Sequence, residues 1–146
     1  MFLGSDVQIS LVLCYFQENR HKIKLLSSRL NFVIKRLREE KKIIHVCGAS
    51  TKGNIILQYS KINKKDVGYA ADRNPLKWNR KMPGSNIPIV SESNSRSRKP
   101  DFYLVLPWHF KKEFIKREKN FLLNGGRLIF PLPKVQIISN KNLYLR

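Results

Sequence analysis

Residues 48–54, GASTKGN, follow an apolar, mostly β-branched run (Ile43, Ile44, Val46) and precede a second apolar run with helical spacing. A strand-to-helix turn of this kind presents free backbone amides and the positive end of a helix dipole, which suits phosphate. Three motifs compete for it. The P-loop, GxxxxGK[ST], has its glycines in Gly48 and Gly53, but Asn54 and Ile55 stand where the lysine and the magnesium-binding hydroxyl belong. NTP hydrolysis is therefore disfavoured. The nucleophile elbow GxSxG begins at Gly48-Ala49-Ser50, yet Lys52 replaces the last glycine and His109 is the only later histidine. A serine hydrolase is disfavoured for the same kind of reason.

The dinucleotide fingerprint GxGxxG fits best. Gly48 and Gly53 match its first and third glycines, Ser50 replaces the second, and Asp72 closes the next strand nineteen residues after Gly53. An acid in that place binds ribose hydroxyls. The Ser50 and Thr51 hydroxyls and the Lys52 amine would complete an anion site at the start of the helix. Ser50 in the middle position argues against a pyrophosphate lying tight on the backbone, and so against a full nicotinamide cofactor. The plainer reading of the same residues is a well-packed strand-to-helix turn.

The elements that must position this turn follow from periodicity. Ile23, Leu26, Leu30, Val33 and Leu37 recur at helical steps, which predicts a long basic amphipathic helix over 16–42. Strands are expected at 43–47, 67–72, 87–90, 101–106, 127–131 and 135–139, and helices at 52–60 and 108–124. The second helix has an apolar face of Phe110, Phe114, Ile115, Phe121 and Leu122 and is closed by Gly125-Gly126 as a left-handed cap. Residues 73–86 and 91–100 read as loops. Apolar, non-alternating strands between helices predict an α/β fold: a small, Rossmann-like, mostly parallel sheet with helices on both faces, preceded by the long helix. The organisation expected is an unassigned segment 1–15, the helix 16–42, the Rossmann-like domain 43–139 and a tail 140–146.

Composition narrows the partners. The 146 residues suit one domain, and 29 Lys and Arg against 10 Asp and Glu give a formal charge of +19, which attracts polyanions. A bias towards Lys, Asn and Ile in coding would produce the same charge. The basic residues form no nucleic-acid reading motif and do not interleave with aromatics, so specific nucleic-acid binding is not expected. Cys14 and Cys47 stand apart beside apolar residues and read as two buried, reduced thiols, with no metal site implied. No signal peptide or membrane span is expected, which points to a cytoplasmic protein that binds no membrane.

Four stretches together carry a resemblance: VCGASTKGNIILQY, YAADRNPLKWNRKMPGSNIPIVS, KPDFYLVLPWHFKKEF and GGRLIFPLP, in this order and spacing. The chain resembles the C-terminal domain of the sugar C-methyltransferases, over roughly residues 16–138. That family methylates a carbon of a nucleotide-linked deoxysugar and joins a zinc-binding part, an S-adenosylmethionine domain and a Rossmann-like domain that helps to hold the nucleotide-sugar.

The resemblance implies ligand-facing roles for Gly48, Ser50, Thr51, Lys52, Gly53 and Asn54. It implies the same for Asp72, Arg73 and Asn74, for Pro83 and Gly84, and for Pro107 and Trp108, all expected at the carboxyl ends of strands. The zinc and methyl-donor parts have no counterpart in these residues. The expectation is therefore a nucleotide-diphosphate-sugar-binding module, encoded apart from its S-adenosylmethionine domain and not catalytic alone, with no catalytic, cofactor or metal residues of its own. It would be either a partner of a separate methyltransferase chain or a gene fragment, and its long helix could pair with a second copy. A nucleic-acid- or other polyanion-binding basic protein and a small Rossmann dinucleotide-binding enzyme remain as alternatives.

Overall fold

A computed structural model describes Ser10, Cys14 and residues 17–143. The expected segment 1–15, apart from Ser10 and Cys14, lies outside the described residues, as does the end of the tail. Six strands form one sheet: β1 (Ile44–Cys47), β2 (Ala70–Asp72), β3 (Ile89–Ser91), β4 (Phe102–Val105), β5 (Arg127–Phe130) and β6 (Gln136–Ile138). The spatial order is β3-β2-β1-β4-β5-β6, with the first five parallel and β6 antiparallel to β5. The α/β, Rossmann-like expectation holds. The order reverses between β1 and β4, the switch point where open sheets of this kind bind ligands.

Alternation along the strands sends successive side chains to two different cores. Ile44 and Val46 of β1, with Leu104 of β4, face a core shared with α1 (Arg20–Glu39) and α2 (Thr51–Tyr59). Cys47, Tyr103 and Val105 face a second core. It is covered by α3 (Glu92–Ser97), α4 (Lys111–Arg117) and α5 (Lys119–Leu123), and a last helix, α6 (Asn140–Leu143), follows β6. The long helix α1 buries Ile23, Ser27, Leu30, Ile34 and Leu37, spaced by three and four, against its own domain. No helix among the described residues is long and apolar enough to cross a membrane.

Several expectations are corrected. Residues 91–100 are not a loop: Ser91 caps α3, its Oγ accepting from Asn94 N. The expected loop 73–86 holds a 3-10 turn (Pro75–Lys77) and then doubles back, with Lys81 bridged antiparallel to Pro88 beside β3. The single helix expected over 108–124 is a 3-10 turn (Trp108–Phe110) followed by α4 and α5. It breaks at Glu118, whose buried carboxylate turns in to meet two arginines. Phe110, assigned to the inner face, is 58% exposed because it sits in the 3-10 turn ahead of the helix. Cys14 is exposed, and only Cys47 is a buried thiol. Gly125 does close α5 in the left-handed region (φ +90), with Gly126 N donating to Phe121 O.

Candidate functional site

The GASTKGN turn leaves the carboxyl end of β1. Gly48 has φ +85, and a Cβ there would lie 2.6 Å from Pro107 Cγ, so the loop after β4 is seated on this glycine. Gly53 faces Leu106, whose Cδ1 would be 2.7 Å from an added Cβ, which brings α2 close to β4. Both glycines are thus required by packing at the switch point, as the fingerprint demands.

The amides of the turn divide into two groups. Ala49 N donates to Asp72 Oδ2 (2.9 Å), Ser50 N to Gly48 O (2.9 Å), Gly53 N to Ser50 Oγ (3.1 Å) and Asn54 N to Ser50 O (2.9 Å). Among the described residues nothing accepts from the amides of Thr51 and Lys52. These two N–H groups, at the positive end of a nine-residue helix, are the open donors of the site. The Thr51 and Lys52 side chains are exposed beside them. Asn54 lies one turn in, its Oδ1 buried without a partner among the described residues.

Asp72, at the end of β2, ties two loops together. Besides Ala49 N it accepts from Asn74 N at Oδ1 (2.8 Å) and pairs with Lys77 Nζ at Oδ2 (3.2 Å), while Lys77 Nζ also donates to Ala49 O (2.9 Å). Trp78 Nε1 donates to Asp72 O (2.8 Å). Asn74 caps the 3-10 turn by accepting from Leu76 N. With three internal donors, the Asp72 carboxylate retains little free capacity, so a paired clamp on two ribose hydroxyls is not what it provides. Arg73, exposed, reaches Glu92 at 3.5 Å.

Eleven of the thirteen expected residues therefore gather at the carboxyl ends of β1, β2 and β4. Trp108 is half-buried there, packed against both cores and tilted against His109 with ring centroids 4.5 Å apart. Pro83 and Gly84 are not brought to this edge. Gln58 Nε2 donates to Pro83 O, and Gly84 (φ +75) packs against the Gln58 amide, near the far end of α2. Helix α2 runs away from the turn, so what contacts its last residues lies towards the opposite edge of the sheet.

Lys77, Glu92 and Arg117 join the site without having been singled out in the sequence. Lys77 had a weak signal, a lysine five residues after an acid that ends a strand. Glu92 and Arg117 had none, because their partners are distant in the chain. Arg117 Nη2 lies 3.1 Å from Glu92 Oε1 and 3.3 Å from Cys47 Sγ. Burial pushes the Cys47 thiol up to about 12, with the nearby Arg117 working the other way.

Behind β1, His45 Nδ1 and the Ser95 hydroxyl are 2.8 Å apart, and Ser95 is 2.9 Å from Tyr103 OH. Burial, with Arg98 adding to it, lowers His45 to about 4, so this relay is neutral and structural.

The family described as the C-methyltransferase C-terminal domain matches residues 10–133. A C-methyltransferase of Streptomyces niveus, NovU, is 40% identical over 92 residues, which are 63% of this chain and 22% of that relative. The match thus spans about a fifth of the relative's length. The sheet order, the glycine contacts at the switch point and this match agree, and the chain belongs to the C-methyltransferase C-terminal domain family.

Proposed function

We propose that the domain holds the diphosphate of a nucleotide-sugar at the GASTKGN turn and presents the sugar for C-methylation. The observation that carries this reading is the pair of open amides at Thr51 and Lys52, with the exposed Lys52 side chain on the same turn and exposed Arg73 next in sequence to Asp72, which is bonded to Ala49 N. Helix-start amides and a lysine suit a diphosphate both by charge and by hydrogen bonding. C-methylation is supported by the family and by the relative, each described as a C-methyltransferase, and the sugar is what the resemblance to the sugar C-methyltransferases implies.

On this reading the domain binds but does not itself transfer the methyl group. S-adenosylmethionine would be held by another domain or by a partner methyltransferase chain, since most of the relative lies outside the matched stretch. The commitment of Asp72 to Ala49, Asn74 and Lys77 likewise does not fit a ribose clamp for that donor.

Calorimetry with thymidine and uridine diphosphates and their sugar conjugates tests the proposal. Binding is expected, and Lys52→Ala should weaken it about tenfold, because a charge-assisted hydrogen bond contributes roughly 1.5–3 kcal/mol. No binding by the wild type, or binding untouched by Lys52→Ala, would leave the turn as packing only. Methyl transfer from a labelled donor by this chain alone would overturn the binding-only role.

A further inference from the structure

A chain of ion pairs runs from the second core to the candidate site. Glu118, with its side chain 1% exposed, meets Arg96 and Arg117 at 2.9 Å each. Arg117 is gripped further by Glu92, by Cys47 Sγ and by the Phe114 ring, whose centroid is 4.4 Å from the guanidinium carbon. Glu92 then meets Arg73 at 3.5 Å.

The two ends of this chain differ in kind. Arg117, surrounded, fixes one oxygen of Glu92. Arg73 has a side chain 69% exposed, and Glu92 is its one ionic partner among the described residues, at a long distance. Exposed pairs of that kind are weak and are easily exchanged for a better anion. Such an anion would sit close by. Arg73 directly follows Asp72, whose carboxylate is bonded to Ala49 N, and Thr51 and Lys52 offer their amides two and three residues further on. A diphosphate can take a guanidinium by two parallel hydrogen bonds, which one carboxylate oxygen at 3.5 Å does not.

We propose, resting on the diphosphate reading of this edge, that Glu92 is an internal stand-in for phosphate. Held by Arg117, it pairs with Arg73 and yields it to the diphosphate, and so sets the affinity of the site. Arg73 is the moving cation, and Arg117 is a positioning residue that does not touch the ligand.

The test is calorimetry with uridine and thymidine diphosphate on the wild type, Glu92→Gln, Arg73→Ala and the double variant. Glu92→Gln should tighten binding about three- to fivefold, the weight of one exposed pair. Arg73→Ala should weaken it, and the double variant should match Arg73→Ala. Equal tightening by Glu92→Gln in the Arg73→Ala background would show a general charge effect and overturn the proposal, as would unchanged or weaker binding by Glu92→Gln. Should Glu92→Gln not fold, Glu92→Asp withdraws the carboxylate by one methylene and must tighten binding in the same direction. Binding that Lys52→Ala weakens but no Glu92 variant tightens sinks the role of Glu92 alone. Absence of diphosphate binding by the wild type sinks the diphosphate reading and this inference with it.

Discussion

Gly48 and Pro107 compete for one space: a Cβ on Gly48 would stand 2.6 Å from Pro107 Cγ and 2.7 Å from its Cδ. The loops after β1 and β4 can close on each other at the switch point only because one of them has no side chain there. Gly48→Ala therefore meets both a clash and a left-handed backbone, and Gly53→Val drives into Leu106. Each should destabilise by about 2–4 kcal/mol in urea unfolding. Gly125→Ala has the same positive φ but open space around it and should lose only about 1 kcal/mol. Equal losses at the three sites would show that packing at the switch point contributes nothing.

Asp72→Ala removes the acceptor for Ala49 N and Asn74 N and the partner of Lys77. A loss of about 2–3 kcal/mol is expected, with weaker diphosphate binding because the turn is no longer held. Lys77→Ala, whose side chain is 40% exposed, should lose no more than about 1 kcal/mol. An Asp72→Ala protein of wild-type stability would return Asp72 to the role of a free ligand group.

His45 makes acid stability predictable in sign. Its folded value is about 4 against 6.5 unfolded, so the unfolded chain takes up the proton first as pH falls. The stability it supplies is whole above pH 6.5 and is lost from there down to pH 4, at up to about 1.4 kcal/mol per unit. Unfolding free energies of wild type and His45→Gln, measured from pH 7 to pH 4, should converge on the acid side. Parallel curves would refute the assignment.

The two thiols should separate cleanly under an alkylating reagent. Cys47 is buried and pushed up to about 12, whereas Cys14 is exposed. At pH 8 one equivalent is expected to label Cys14, with Cys47 modified only after denaturant is added. Peptide mapping that finds both labelled in the native protein would contradict the packing of Arg117 over Cys47.

Helices α1 and α2 end as α5 does, but with lysine in the left-handed position. Lys41 (φ 56) and Lys61 (φ 54) stand where Gly125 stands, and Lys42 N and Ile62 N donate back to Leu37 O and Leu57 O. Lys41→Gly and Lys61→Gly should each raise stability by about 0.5–1 kcal/mol, read as a higher unfolding midpoint. A lower midpoint would mean that the lysine side chains hold these ends by contacts of their own.

The same lysines show why boundaries were less legible than elements. Gly125-Gly126 announces its helix end in the sequence, whereas Lys41 and Lys61 do so only through backbone geometry. The six strands were readable because their apolar runs are contiguous, yet Ala70–Asp72 is shorter than its apolar surroundings suggest. Helix α3 escaped because six residues, ESNSRS, carry no apolar period; the Ser91 cap followed by Glu92 was its only sign.

What the sequence by itself determined is local. Gly48 and Gly53 at the ends of a turn and the three-four rhythm of α1 act between near neighbours, where backbone preference and periodic burial decide. The tertiary structure decided which polar groups remain available. Ser50 became a helix cap, Asp72 a tether and Asn74 a turn cap, while Thr51 and Lys52 kept their amides open. It also carried Pro83 and Gly84 away to Gln58 and brought Glu92 to Arg73 and Arg117 to Glu92. The physical reason is that a hydrogen-bonding group is claimed by whichever partner packing brings within about 3 Å, and that partner often lies tens of residues away in the chain.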